Sequence, residues 1–267
     1  MSLRNTVRSF PTLLRIGVSE AVAYRAEMFI WILATTMPLI MLALWVAVAR
    51  EAPVGRFNQQ GFIAYFLCAF IVRQLTGNWI AWQMNYEVRQ GTLAMRLLRP
   101  VHPLGAYAAE ILASVPLRTL IALPVAVVAL AWAGSASLSR DPAIWGVWLG
   151  SIAGAWLIAF LVNAAVGCLS FYLESSLKVM DAWLAAYFVF SGYTIPVELF
   201  PPWLKRVVDV LPFRFQMGFP VELMTGAHGR SEALALLGRQ WLMVAVLTSL
   251  VTILWRRGVK RFAAYGG

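Results

Sequence analysis

The basic segment 87–103 holds the side chains most suited to recognising another protein. Its planar guanidinium groups, which fit carboxylates on a partner, belong to Arg89, Arg96 and Arg99. Apolar contacts in the same segment are expected from Leu93, Leu97 and Leu98. Glu87 begins the segment, and Gly91 and Pro100 delimit a short, rigid helix that can transmit force. The alternative is that these arginines only fix the membrane topology and bind anionic lipid.

A second group of polar residues lies inside apolar runs. A charge in such a run costs roughly 2.5–3.5 kcal/mol on insertion scales unless it faces protein or water. The group consists of Arg73, Asn78, Gln83, Glu110, Arg118 and Asn163. In one interpretation, Arg73 is part of the translocation path or of the subunit interface and contacts an anionic group of the substrate. The other is a structural ion pair with a carboxylate such as that of Glu110.

Some kinds of chemistry are excluded by what the sequence lacks. A phosphate-binding loop of the Gly-Lys type is absent, because none of the three lysines follows a glycine. His102 and His228 lie far apart and belong to no His-Glu-x-x-His pattern, so no metal site is predicted. Cys68 and Cys168 lie inside apolar runs, where free cysteines pack as small apolar side chains. No disulfide, metal or nucleophile role is assigned to them.

The composition places these residues in a membrane protein. Of the 267 residues, 61% are hydrophobic and 13% are charged, and the mean hydropathy is +0.72, whereas soluble domains carry about 25% charged residues. A helical span needs about 20 apolar residues, so the apolar runs predict an all-α integral membrane protein with about six spans. Their predicted bounds are 28–49, 61–83, 104–133, 143–173, 182–197 and 233–255. The net charge of +10 suits anionic lipid headgroups, and no nucleic acid partner is expected.

Three further segments complete a single transmembrane domain over residues 1–267. Residues 1–27 predict an interfacial helix with arginines on one side of an apolar stripe. Segment 84–103 is a polar loop, and the proline-rich segment 198–230 predicts a short re-entrant helical hairpin before the last span. Lysines and arginines are more numerous at both termini and in 84–103 than in the alternate loops. Both termini are therefore expected in the cytoplasm.

Two motifs connect this layout to a known family. The loop reads YEVRQGTL at 86–93 and LLRPV at 97–101, and the hairpin reads IPVELFPPWL at 195–204. Together with the interfacial helix, they resemble the permease subunits of type-2 ATP-binding-cassette exporters. The resemblance covers the layout of essentially the whole chain, and it is to the small bacterial members that lack a large external domain.

The resemblance implies the permease subunit of an ATP-driven exporter in the bacterial inner membrane. Its partners would be a second permease chain, identical or sibling, and separate ATPase subunits that carry the ATP and magnesium. No cofactor is then expected on this chain. The segment 87–100 would be the element that couples the permease to the ATPase, and the hairpin residues Phe200 and Trp203 are candidates for an external gate. The transported substrate is left open.

Two other classes of function remain at this point. One is a passive channel or a structural membrane protein, which would need no ATPase. The other is an intramembrane lipid-modifying enzyme that uses Glu110, Glu174 or Asp181. Nothing in the sequence pairs two of these carboxyl groups as an acid and a base. Association with an ATP-binding-cassette ATPase separates the exporter from both alternatives.

Overall fold

The computed structural model describes residues 3–23, 36–133 and 137–262, and within them the protein is helical apart from short connections. The described helices are α1 Leu3–Ala23, α2 Met37–Val48, α3 Gln59–Thr76, α4 Ile80–Arg89, α5 Leu93–Leu97, α6 Pro103–Ala133, α7 Pro142–Leu169, α8 Ser176–Phe190, α9 Pro202–Val208, α10 Pro212–Gln216, α11 Gly218–Met224 and α12 Arg230–Val259. One 3-10 turn covers Val197–Leu199. The all-α prediction is confirmed for these ranges, in which no β-strand occurs.

Three helical segments of the described ranges are long and apolar enough to cross a membrane by length and composition. They are Gln59–Arg89, Pro142–Leu169 and Arg230–Val259. Met37–Val48 is a shorter apolar helix. The beginning of its predicted span, 28–35, lies outside the described residues, as does the end of the predicted interfacial helix at 24–27.

Helix α7 is the centre of the packing. Among the described residues, the contact between α12 and α7 is more extensive than that between any other two helices. Helix α4 also lies against α7. The side chain of Gln240 in α12 is fully buried and donates hydrogen bonds to the carbonyl oxygens of Ser151 and Phe215, both at 2.9 Å. At the helix starts, Arg230 donates to the Asp141 carboxylate at 2.9 Å. These polar contacts fix α12 against α7 and α10.

The second predicted span, 61–83, is interrupted at residues 77–79 between α3 and α4. Arg118 of α6 reaches into the break, where its Nη2 donates to the Gly77 carbonyl oxygen at 3.2 Å. Its guanidinium carbon lies 5.2 Å from the centre of the Trp79 ring. A helix break among apolar helices must have its freed backbone groups satisfied by other protein groups. A Cβ at residue 77 would lie 2.3 Å from Arg118 Nη1, so a larger residue there would displace the end of the Arg118 side chain from the break.

Two segments near the end of the chain differ from their predicted bounds. Helix α8 covers Ser176–Phe190, whereas the predicted span was 182–197. The helix ends shortly before Gly192, whose φ of +87° leaves the helical region and favours glycine. Between α8 and α12, the predicted helical hairpin contains three short helices, α9, α10 and α11. Each begins at or near a proline or glycine, so the chain turns repeatedly within 198–230.

Helix α1 packs along the first half of α6. The Thr6 hydroxyl accepts a hydrogen bond from the His102 backbone N–H at 3.0 Å. Further along α1, at Gly17, the two helices are in close contact, because a Cβ at this position would lie 2.7 Å from the Ala113 Cβ. The predicted interfacial helix therefore has a protein partner along its length as well as the membrane surface predicted for it.

Candidate functional site

An ion-pair cluster joins α4, the short helix α5 and the start of α6. Arg96 of α5 donates to Glu87 at 2.7 Å and to Glu110 at 2.6 Å. The Tyr107 hydroxyl donates to Glu87, and the Arg96 guanidinium lies 4.3 Å from the centre of the Tyr107 ring. Gln83 donates to Glu110 at 2.9 Å. These five residues are called the arginine cluster below.

The arginine cluster is partly shielded from water. The side chains of Arg96, Glu87 and Glu110 are 16%, 12% and 27% exposed. Burial alone would lower the pKa of Arg96, but its hydrogen bonds to Glu110 and Glu87 raise that pKa above the ordinary value. Charge-assisted hydrogen bonds that fork between two carboxylates are among the stronger polar contacts in proteins. The cluster therefore holds α5 in a fixed position against α4 and α6.

This arrangement corrects the orientation expected for three coupling candidates. Arg96 and Glu87 are committed to each other and to α6, so their charged groups are not free to meet a partner. Leu93 is fully buried in the core. All three residues hold α5 in place, and none of them contributes to the surface that α5 exposes. The sequence pattern did not reveal this, because the pairing depends on Glu110 and Tyr107, which come from a separate helix.

The remaining coupling candidates are accessible. Arg89, Arg99 and Pro100 are exposed, and Leu97 is half-buried. Arg89 also donates at 3.1 Å to the carbonyl oxygen of Leu173, in the connection between α7 and α8. The turn that separates α4 from α5 is made at Gly91, which has a φ of +72°.

The most exposed apolar side chains beside Arg99 are Met95, at 65%, and Leu98, at 81%. Leu98 was among the expected contacts, whereas Met95 was not. Leu98 and Arg99 form a last turn directly after α5, in which their N–H groups donate to the carbonyl oxygens of Ala94 and Arg96. Residues three and four positions apart lie on the same side of a helical turn, so this spacing places Met95, Leu98 and Arg99 together. These three residues are called the α5 face below. This spacing is visible in the sequence.

The polar residues expected inside the spans divide between two places. Gln83 and Glu110 belong to the arginine cluster, so the ion pair considered between Arg73 and Glu110 is not formed. Arg73, Asn78 and Asn163 instead line one cavity of about 200 Å³. The sequence interpretation that paired Arg73 with Glu110 is therefore wrong.

Two further polar residues accompany this cavity. Arg118 lies beside it at the helix break and is close enough to Arg73 for their like charges to interact. Gln216, from α10, is part of the lining and is only 6% exposed. Sequence reasoning missed Gln216, because its place in the hairpin gives no hint that α10 packs against α7 and α8.

The two gate candidates lie in the hairpin, one partly covered and one accessible. Phe200 is half-buried, and Trp203 of α9 is 64% exposed. The hairpin is linked to the loop after α2, because Arg56 forms two hydrogen bonds with the Glu198 carboxylate. The hairpin is therefore connected to a second loop at the same end of the protein.

A charged network in the last part of the hairpin surrounds the buried carboxylate of Glu222. It accepts from Arg214 and contacts His228 Nε2, each at 2.7 Å. Arg214 also pairs with Asp209, and His228 Nδ1 lies 3.1 Å from Glu232. Burial would raise the pKa of Glu222, but the His228 hydrogen bond and the Arg214 charge lower it to about 2. Burial would lower the pKa of His228, whereas its bond to Glu222 raises it above the ordinary value.

The stability of the protein should fall as the pH rises from 6.5, the ordinary pKa of His228, through the raised pKa of His228 in the folded protein. The raised pKa of His228 means that its contribution is complete below its ordinary value of 6.5 and is lost as the pH passes the raised value. The contribution of Glu222 is complete above its ordinary value of 4.5 and is lost only as the pH falls towards about 2. Thermal unfolding in detergent across this range measures the effect. The His228→Gln variant should flatten the pH dependence, and an unchanged slope would contradict the assignment.

The described helices show that this is a helical membrane protein with apolar helices long enough to span a membrane. The profile of the ABC-2 family transporter proteins matches residues 30–266. The chain belongs to this family, and the resemblance to type-2 ATP-binding-cassette permeases that the loop and hairpin motifs indicated is confirmed. No curated protein sequence matches the chain significantly.

Proposed function

We propose that this chain is the membrane-spanning permease subunit of an ATP-driven exporter in a bacterial inner membrane. It pairs with a second permease chain to form the translocation path, and both termini face the cytoplasm. Separate ATP-binding-cassette ATPase subunits bind ATP and magnesium and drive the cycle. Family membership supports the transport role, and the excess of basic residues at the termini and in the loop 84–103 supports the orientation.

The observation that carries the coupling part of this proposal is the α5 face. It consists of exposed Met95 on α5 and exposed Leu98 and Arg99 directly after that helix, and the inner side of α5 is held by Arg96. An apolar centre flanked by an arginine is a common composition for a protein interface. Because Arg96 connects α5 to both α4 and α6, a push on α5 would reach helices that lie beside the cavity containing Arg73.

The test of the proposal is co-purification with candidate ATP-binding-cassette ATPases, followed by ATP hydrolysis measured in lipid vesicles. An exporter subunit should retain an ATPase partner and stimulate its hydrolysis. A passive channel would instead release a preloaded solute from vesicles in the absence of any ATPase. That second result, together with no bound ATPase, would contradict the proposal.

For the external gate, tethering the hairpin should slow export. Cysteines placed at Arg56 and Glu198, whose side chains meet in the structure, can be joined by a short bifunctional reagent. Cys68 and Cys168 are buried, so background labelling should be low. The single-cysteine variants treated with the same reagent are the matched controls. If the doubly linked protein exports at the control rate, the hairpin is not a gate.

A further inference from the structure

Four buried polar atoms without hydrogen-bond partners belong to residues that line the Arg73 cavity. They are Arg73 Nε, Asn78 Nδ2, Asn163 Oδ1 and Gln216 Oε1. They make up a third of the twelve such atoms in the described part of the chain. Buried polar atoms in folded proteins nearly always have partners. Their concentration around one cavity therefore makes this cavity a candidate binding site for a polar molecule.

The two asparagines have fixed orientations, so the chemistry that they offer is defined. Asn78 Oδ1 accepts from the Ile80 N–H at 3.0 Å, which leaves the amide Nδ2 as the free donor. Asn163 Nδ2 donates to the Ala159 carbonyl oxygen at 3.0 Å, which leaves Oδ1 as the free acceptor. Exchanging the oxygen and nitrogen of either amide would break these bonds. The cavity thus offers donors from Arg73 and Asn78 and an acceptor from Asn163.

The charge of the cavity is positive. Among the described residues, no carboxylate forms an ion pair with Arg73 or Arg118. The guanidinium carbon of Arg73 lies 5.9 Å from the centre of the Tyr187 ring. Two cationic side chains in a poorly hydrated environment attract an anion strongly. The cavity also adjoins the helix break at 77–79, and ion and substrate sites in membrane transport proteins often lie at such breaks.

The volume and the lining of the cavity limit the size and polarity of the molecule that could carry such an anionic group. Its volume of about 200 Å³ lies below the roughly 300–1,000 Å³ of pockets that hold drug-sized ligands. Its remaining walls include Trp82, Trp183 and Phe188, and Phe188 is partly exposed at the surface of α8. A polar group fits inside, while an attached apolar portion can leave along α8.

We propose that this cavity binds an acidic headgroup in which an anionic phosphate or carboxylate lies next to a hydrogen-bond donor such as a hydroxyl. The anion binds Arg73 and Asn78, and the donor binds Asn163 and Gln216. Glycerol phosphate, free or as the headgroup of a lipid, has this chemistry. That such a ligand is a transported substrate rests on the proposed permease function, whereas its binding does not.

Native mass spectrometry of the delipidated chain in neutral detergent tests the binding without any ATPase. The probes are short-chain phosphatidylglycerol, short-chain phosphatidylcholine, whose headgroup lacks a donor, and glycerol 3-phosphate. The wild-type chain should prefer phosphatidylglycerol over phosphatidylcholine. Arg73→Ala should weaken phosphatidylglycerol binding about 10- to 100-fold, the range for loss of a charged hydrogen bond. Arg50→Ala, which removes an exposed arginine outside the cavity, should leave binding unchanged.

Two further variants keep the proposal testable if Arg73→Ala does not fold. Arg73→Lys retains the charge but loses the fork of donors, and Asn163→Leu removes the acceptor at similar size. Each should reduce the preference for phosphatidylglycerol over phosphatidylcholine, and an unreduced preference in both would overturn the proposal. So would equal phosphatidylglycerol binding by wild type and a folded Arg73→Ala. Competition by glycerol 3-phosphate would assign the site to a soluble ligand, and competition by the lipid alone to a membrane lipid.

Because no ATPase is present in these measurements, their outcome is independent of transport. Selective binding that depends on Arg73, in a chain that recruits no ATPase, would support the cavity and contradict the permease proposal. ATPase recruitment without selective phosphatidylglycerol binding would support the permease proposal and contradict the cavity proposal.

Discussion

Replacing Arg96 with alanine should lower the free energy of unfolding by about 3 kcal/mol, since breaking a largely buried ion pair leaves its partner charges uncompensated. Glu87 and Glu110 would then face each other across a partly desolvated space with no cation between them. Part of the cost would be relieved by water, because Glu110 remains 27% exposed. Denaturant unfolding of the detergent-solubilised protein, followed by circular dichroism, measures the change.

A matched control is available three residues away. Arg99→Ala removes an exposed arginine from the same segment, and surface substitutions of this kind usually change stability by less than about 0.5 kcal/mol. The triple variant Arg96→Met, Glu87→Gln and Glu110→Gln should recover most of the loss, because it removes the buried charges together. If Arg96→Ala unfolds at the wild-type denaturant concentration, the cluster does not hold α5 in place.

The long apolar helices were predictable because their determinants are local. Helix α7 follows from an uncharged run that begins after Asp141, whose side chain caps the helix by accepting from the Ala143 N–H at 3.0 Å. The end of α8 was less predictable, since the apolar run continues past Phe190 while the chain turns at Gly192. A run of apolar residues gives the length available for a span. It does not give the residue at which the helix ends.

The break at 77–79 and the ion pairs of the arginine cluster could not be predicted from the sequence, for a different reason. Gly77 alone is a weak signal, and what makes the break stable is Arg118, 41 residues away. The partner of Glu110 depends likewise on packing, because both Arg73 and Arg96 were available in the sequence and only Arg96 is within reach. Charge pairing in a helical membrane protein is set by which helices are neighbours.

For ATPase docking, the structure changes which substitutions are informative. Leu93→Asp would place a charge at a position with no exposed surface, so a loss of ATPase binding would reflect misfolding. Glu87→Ala would remove a carboxylate that pairs with Arg96 and accepts from Tyr107, so it would disturb the arginine cluster as well. Leu98 is 81% exposed and Met95 is 65% exposed. Changing them alters the surface while the inner side of α5 stays in place.

Leu98→Asp should therefore weaken ATPase binding about 100-fold or more, the size of effect expected at the centre of an interface. The stability of the isolated chain should stay within about 0.5 kcal/mol of wild type. Met95→Asp should act in the same direction. Val210→Asp, an equally apolar and 73% exposed position in the hairpin, is the matched control and should bind the ATPase normally. Pull-down with the purified ATPase, together with unfolding of each variant, separates the two effects. Normal ATPase binding by the Leu98→Asp and Met95→Asp double variant would remove docking from the α5 face.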